Sequence, residues 1–499
     1  MSLSLRMSIC SAALLVSTAA PLIAQVHHHP DGQPWKQRAN EGPDAEAPGW
    51  FYNLGVTGLR IKLDDDAPTH LIVGHVLGDS CAEGKIEVDA HLLGAGGKRF
   101  EVPHQNGYGM EVFGPRGPIQ DFADAYEAAL RSKGHKLELL VQQDGKEQTI
   151  TLSLPRRTLA FADTFPFDCK KTERVRERLL DHLVEAQRED GSFGNPVHNT
   201  FAPLALLSSR KAAHRAAVER SARRHAATTS TEDKDWLVNW KYMAAAIVLS
   251  EYELAEHKAW IGPQLEEIYT FLSGSQYMDL SQVNPKAKET HPGSYPKNNK
   301  AAHGGWGHNP GFEGYGPIAM LTGQGALALS LMERAGVEVD PARTEAAFEF
   351  LDRGTGKNGY LWYADSVASD NKWADMGRTG AAGIAYAVST DPEHRSDSKR
   401  YATVIGEHPE SFPDTHGSPL MGMGYAALAA GTHPKSFQRL MSANRWWFAL
   451  SECPDGTFYY QPNRDNAGYG ADARLAATAV VALILSIPEG RLVITGRKD

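Results

Sequence analysis

The chain has little cysteine, no sustained apolar run and no excess of positive charge, and each shortage excludes something. There are four cysteines in 499 residues. Cys10 lies in the first turn of sequence, so Cys81, Cys169 and Cys453 allow at most one internal bridge, and the fold cannot depend on a disulfide framework. A formal net charge of −9 argues against nucleic acid or an anionic membrane as the main partner, because neutralising phosphates takes clustered Lys and Arg. After the first residues, no segment approaches the ~20 apolar residues that a membrane span needs. The common catalytic signatures are missing too: no Walker loop, no G-x-S-x-G, no H-E-x-x-H. No cofactor is assigned.

What is present reads as an ordinary globular composition, 42% hydrophobic and 22% charged, at a length that implies two domains. Arg6 followed by "ICSAALLVSTAAPLIA" reads as a signal peptide over residues 1–24, cleaved after Ala24. The mature protein is therefore expected to be exported, periplasmic or extracellular. Residues 25–48 read as a disordered N-terminal linker.

Two periods divide the rest. Residues 49–155 carry short β-branched and leucine runs, "GLRIKL", "HLIVGHVL", "KLELLVQQ" and "QTITLSLP", around one helix, "IQDFADAYEAALRSKG". "LGVTGLRI" followed by "VGHVLGDSCAEGKIEVDAHLLGAGGKRF" resembles a PDZ domain. It departs from the bacterial pattern at Cys81, Asp89-Ala90 and Gly96-Gly97. The resemblance implies a peptide or protein C-terminus bound as an added strand, its carboxylate held by amides of Val56, Thr57, Gly58 and Leu59. The alternative is a closed domain whose groove is filled by its own linker.

Residues 156–171 read as a linker, and 172–490 turn helical. Charged amphipathic stretches such as "TERVRERLLDHLVEAQ" alternate with smooth ones such as "IAMLTGQGALALSLMERAG". Helices apolar on most sides must be buried, so this alternation predicts an inner ring inside an outer ring, with about six hairpins. Leu183-x3-Gln187-x3-Gly191-x-Phe193 recurs as Phe448-x3-Glu452-x3-Gly456-x-Phe458, and in degenerate form as Leu351-x3-Thr355-x3-Gly359-x-Leu361. A repeated local motif of this kind marks a joint between hairpins. It resembles the Q-x3-G-x-W repeat of terpene cyclases and their α/α-toroid relatives. The expected fold is multidomain α+β: a small PDZ-like β domain followed by an (α/α)6-type helical toroid. This combination resembles a group of exported bacterial proteins, and the resemblance carries an architecture without an activity.

In such a ring the inner helices run the same way and their N-terminal ends gather at one mouth, where unpaired N–H groups favour polar or anionic ligands. The residues at those starts are the candidates: His198 and Asn199, Asp235 and Trp236, Tyr315, Arg378, His416, and Tyr469 with Asp472. The glycine-rich loop "HGGWGHNPGFEGYGP" adds His303, Trp306 and His308. Asn199, Asp235 and Asp472 read also as helix caps, and Trp236, Trp306, Trp446 and Trp447 read as core or seam before ligand platform. The spacing of His303 and His308 matches no ligand pattern, so no metal is assigned.

Two functions compete. One is a binding protein that takes a peptide at the PDZ-like domain and a polar ligand, such as a polysaccharide, at the mouth. The other is a carbohydrate-active enzyme: a lyase using His416 or Tyr315 with Arg378, or a hydrolase using Asp235 and Asp472. Terpene cyclisation is the weakest reading, since Asp233-Lys234-Asp235-Trp236 ends in Trp where a D-x-D-D acid motif needs Asp. The prenyltransferase zinc set is likewise not found.

Overall fold

The computed structural model describes residues 51–64, 66–104, 116–290, 292, 295–311, 316–372, 376–413, 419–460 and 473–497, excepting the side chains of 196–198, 419 and 473. The first part is an antiparallel sheet of β1 (Tyr52–Asn53), β2 (Leu59–Leu63), β3 (Leu71–Val76), β4 (His91–Ala95), β5 (Lys98–Arg99), β6 (Lys136–Gln143) and β7 (Lys146–Ser153). Its order is β1-β2-β3-β4-β6-β7, with β5 paired to β4. Alternation fixes the buried face: Leu137, Leu139 and Val141 of β6 point inward while their neighbours face water. Helix α1 (Pro118–Arg131) opens on a proline, which loses no hydrogen bond at that position, and buries Ile119, Phe122 and Tyr126 on one stripe.

The rest is helical: α2 (Lys170–Ala186), α3 (Pro196–Leu207), α4 (Ala212–Thr228), α5 (Val238–Glu256), α6 (Ile261–Ser275), α7 (Ala287–Thr290), α8 (Asn299–Ala302), α9 (Ala319–Arg334), α10 (Pro341–Gly354), α11 (Met376–Val388), α12 (Pro392–Glu407), α13 (Pro419–Gly431), α14 (Pro434–Ala443), α15 (Arg445–Ser451) and α16 (Ala473–Ser486). Contacts run α3 to α5, α5 to α9, α9 to α11, α11 to α13, α13 to α16, and α16 back to α3. That is a closed inner ring of six. Helices α2, α4, α6, α10, α12 and α14 pack outside it. The inner members are buried nearly all round, as in α9, where every residue from Ala319 to Met332 is buried. Close approach demands small residues: a Cβ on Gly380 of α11 would lie 2.3 Å from the amide nitrogen of Ala426 in α13.

The two parts share one continuous hydrophobic core. Asn53 donates to the carbonyls of Leu450 (2.6 Å) and Glu452 (3.1 Å), and the buried Arg60 guanidinium lies 4.1 Å from the Tyr459 ring centre. Lys171 lies 3.2 Å from Glu452 of the ring and 3.9 Å from Glu127 of α1. The segment expected as a linker, 156–171, is therefore packed rather than free: Phe161 and Phe165 are buried, and Phe165 meets Phe448 at 5.6 Å. Helix α2 starts within it. No disulfide joins Cys81, Cys169 and Cys453. No helix among the described residues is long and apolar enough to cross a membrane. Residues 1–50, including the expected signal peptide and N-terminal linker, lie outside the described residues.

Candidate functional site

The joints account for much of the polar chemistry in the ring. Gln187 donates to the Gly191 carbonyl (3.0 Å) and reaches the next outer helix, α4, at the Ala217 carbonyl (2.8 Å) and Ser221 hydroxyl (3.0 Å). Gly191 has φ +85, and a Cβ there would lie 2.4 Å from the Arg220 carbonyl oxygen. Glu452 reaches Arg178 of α2 (2.8 Å), so this joint closes the ring from last hairpin to first. Thr355 reaches the Tyr401 hydroxyl of α12 (3.1 Å).

A fourth joint escaped sequence reading. Gln276 donates to the Gly304 carbonyl and to the Arg343 carbonyl of α10, both at 2.9 Å. Residues 277–303 are inserted between glutamine and glycine, and the insertion has its own small core of Tyr277, Val283, Ala287 and Ala302. One backbone bond repeats in all four: Arg188 to Ser192 (2.9 Å), Tyr277 to Gly305 (3.0 Å), Gly356 to Tyr360 (3.0 Å) and Cys453 to Thr457 (2.9 Å), amide to carbonyl. A second bond clamps the following inner helix. The amides of Phe193, Trp306, Leu361 and Phe458 donate to Asn199 (2.7 Å), Thr322 (3.2 Å), Thr379 (3.0 Å) and Thr478 (3.1 Å).

Several candidates have structural partners. Trp306 is 0% exposed and donates to the Leu272 carbonyl, so it is the aromatic plug of the fourth joint and not a ligand platform. Asn199 holds the first joint, although it also lines a cavity. His303 bonds the Met278 carbonyl (2.9 Å) and stands 3.9 Å from Glu349, on the insertion side. Arg378 is buried against the third joint, donating to the Tyr360 hydroxyl at 2.7 Å with Tyr363 beneath its guanidinium. His308 is held by Trp240, whose indole N–H donates to its Nδ1 (2.8 Å), and burial lowers its pKa. Tyr315, His416, Tyr469 and Asp472 lie outside the described residues, as does the side chain of His198.

The sheet's expected peptide loop is also placed differently from the expectation. Val56, Thr57, Gly58 and Leu59 are buried; the Val56 amide faces the Tyr126 hydroxyl (3.4 Å) and the Leu59 amide donates to Thr57 Oγ1 (3.2 Å). The loop packs against α15, and the edge of β2 at Arg60 and Ile61 is already paired with β1. A peptide arriving there meets β1 and α15, not the linker that was the expected occupant of a closed groove. The sheet region's cleft, about 860 Å³, lies instead along α1 and β5, at Lys98, Asp121 and Ala128.

Two candidates do stand at an open cleft. Asp235 and Trp236 line two adjoining cavities, of about 520 and 660 Å³, together with Asp233. Trp236 is 69% exposed, the largest such value among the exposed large apolar side chains described. Lys241 bridges the carboxylates of Asp233 and Asp235, the latter at 2.8 Å. Burial pushes the Asp233 carboxyl up, but hydrogen bonds from Lys241 and the Asp235 amide outweigh it and hold the group below the usual carboxylate range. Asp233, Lys241 and the wall residues Arg224 and His225 were not among the sequence candidates. Leu237 then enters α5 with φ +58 and ψ +33, a left-handed conformation that costs a branched residue roughly 1–2 kcal/mol. His225 is fully buried, bonds the Asn199 carbonyl (2.9 Å) and is pushed down to about 4 by burial, so it is neutral here.

Residues 172–496 match the family described as Domain of unknown function (DUF6288). No curated protein matches the chain. Among solved structures, a family 76 glycoside hydrolase from a bovine Bacteroides thetaiotaomicron strain aligns over 71% of this chain and 84% of its own, at 7% identity and a TM-score of 0.46. The Lin0763 protein of Listeria innocua aligns over 64% and 97%, at 8% identity and 0.45. The type II terpene cyclase MstE from Scytonema aligns over 64% and 98%, at 12% identity and 0.40.

Proposed function

The chain belongs to the DUF6288 family, and we propose that the start of α5 in its ring is a saccharide-binding cleft. The observation that carries this reading is the exposed indole of Trp236 standing between two cavities, flanked by the carboxylates of Asp233 and Asp235. Sugars present an apolar C–H face and a rim of hydroxyls. A flat aromatic takes the first, and carboxylates accept hydrogen bonds from the second. Ser192, Thr228, Thr229 and Ser230 on the cavity wall supply the neutral partners such a ligand needs. The strained backbone at Leu237 supports the same reading, because strain persists where the surroundings over-determine a conformation, commonly at a site. Peptide binding at Val56 to Leu59 is not proposed, for the burial described above.

Turnover is the second reading, and Asp233 favours it. Retaining glycosidases set two carboxyls about 5–5.5 Å apart, whereas inverting ones leave roughly 6.5–9.5 Å. Asp233 can be one member of such a pair, with the second carboxyl outside the Asp233–Lys241–Asp235 bridge. With Asp233 held ionised, it would act as base or nucleophile, and the acid role falls to a different group.

The test is titration calorimetry of the full chain with a panel of linear oligosaccharides, alongside reducing-end release. Trp236→Ala should weaken binding about 10-fold or more, equivalent to ~1.4 kcal/mol. Wild-type affinity in that variant for every binding sugar removes the cleft from this role. Release of reducing ends that disappears in Asp233→Asn, with affinity kept, would establish the enzymatic reading over simple binding.

A further inference from the structure

The sheet region holds a group of side chains that the α5 cleft does not use. Asp64 follows β2, His70 precedes β3 and His91 opens β4, and the register pairs Leu63 with Leu71 and Ile72 with His91. Three consecutive strands therefore deliver three ligand-type residues to one end of the sheet. One ligand atom from each lies within 4.8 Å of the other two, and no other such group of His, Cys, Asp and Glu occurs among the described residues.

We propose that Asp64, His70 and His91 form a binding site for one divalent transition-metal ion of the zinc type. Asp64 is already oriented for it: its Oδ1 accepts from the amides of Asp66 (3.0 Å) and Ala67 (3.1 Å). That leaves Oδ2, which stands 3.6 Å from His91 Nδ1. Metal–ligand bonds of ~2.0–2.1 Å set tetrahedral ligand edges near ~3.4 Å, so the pair is almost at bonding separation. His91 Nδ1 is buried without a hydrogen-bond partner, which is costly for a lone imidazole nitrogen and natural for one awaiting an ion. The His70 ring meets the His91 ring edge-on at 5.7 Å. Nearby, His104 hydrogen-bonds through its amide to the Pro68 carbonyl (3.0 Å) in the same turn, and both its ring nitrogens are buried and unpartnered. Two nitrogens and one oxygen suit Zn²⁺, and leave a further position open.

The experiment is calorimetric titration of chelator-treated full chain with Zn²⁺, paired with Co²⁺ absorption as a coordination readout. We expect one ion per chain and an intense visible Co²⁺ band. Affinity should fall ~100-fold or more in His91→Gln, since even outer-sphere changes cost 10–100-fold. Asp64→Asn keeps the oxygen that accepts the turn amides while removing the charge, so it should fold normally and lose the band. Zn²⁺ binding that is absent in wild type, or that survives unchanged in both variants, overturns the site. An outcome in which binding follows His303, or the run His27, His28 and His29 near the start of the sequence, does the same.

Discussion

Replacing Lys171 by methionine should unlock the sheet from the ring. The ammonium is 2% exposed, 3.2 Å from Glu452, 3.9 Å from Glu127 and 4.4 Å from the Phe161 ring centre. Methionine fills the volume but leaves the carboxylates. Glu452, itself buried, would keep only Arg178, and Glu127 would keep Arg131. Removing one partner of a buried ion pair costs about 3–5 kcal/mol, because the other charge stays desolvated. Glu127 can escape by taking a proton, since burial already raises its pKa above the ordinary value despite Lys171. Glu452 loses its largest opposing partner: in the wild type Lys171 and Arg178 together outweigh burial and hold it low, and the variant leaves Arg178 alone against burial. The loss should therefore fall at the lower end, ~3 kcal/mol.

Urea unfolding of the full chain at pH 7 reads this directly, and a cycle with Glu452→Gln isolates the pair. Coupling of ~1–3 kcal/mol is expected, with the double variant less damaged than the sum of the singles. Protease should then cut between Pro155 and Cys169 in Lys171→Met while sparing wild type, since that stretch is protected only by packing. The pH dependence has a definite sign. Glu452 has a depressed folded pKa, so its contribution is present above the unfolded value and disappears as pH falls through the folded one; Lys171→Met should move acid unfolding to higher pH. Glu127, raised, runs the opposite way and is relieved as pH falls. A loss below ~0.5 kcal/mol, or an additive cycle, would refute the reasoning.

Gly304→Ala should destabilise the ring by more than the ~1–2 kcal/mol of a left-handed residue, because its Cβ would also sit 1.8 Å from the Ala346 carbonyl oxygen; unfolding midpoints report it, while saccharide affinity stays unchanged in the folded fraction. Gln276→Ala should cost about 1–3 kcal/mol, since it strands two carbonyls at once, and Gln187→Ala a similar amount. Ligand binding at the α5 cleft should be flat from pH 5 to 8 by calorimetry, because His225 is pushed down to about 4 and Asp233 is held below the usual carboxylate range. A midpoint near the ordinary histidine value of ~6.5 would bring His198 or His416 into the site instead.

The ring was legible because burial on all sides leaves a compositional mark: stretches rich in Ala, Gly and Leu can only be inner helices. The joint at Gln187 was legible because its three determinants fall within seven residues of sequence. Its fourth copy was not, because 27 residues, 277–303, separate Gln276 from Gly304 where the other joints have three, while the backbone bonds stay the same. Trp306 read as core or seam, but nothing in the sequence tied it to a joint. The sheet docking was hidden for a different reason. Nothing in "NLGVTG" says that Asn53 will spend its amide on Leu450 and Glu452 almost four hundred residues away. Asp64, His70 and His91 were equally silent, since only strand register brings them together.

The cleft follows from where the repeat is absent. Inner helices α3, α9, α11 and α16 each begin beneath a joint, with the plug's amide clamped by Asn199, Thr322, Thr379 or Thr478. Those helix starts give their polar side chains to the fold. Helix α5 follows α4 without a joint, and its entry is built instead from Asp233, Asp235, Trp236 and a left-handed Leu237. No aromatic plug covers it. A ring that secures four of six hairpins by one device can leave another helix start open, and α5 is where an indole, two carboxylates and an ammonium meet solvent. The absence of Q-x3-G-x-W before "DKDWLVNWK" was thus the signal in the sequence, and it points to the same residues as the cavities do.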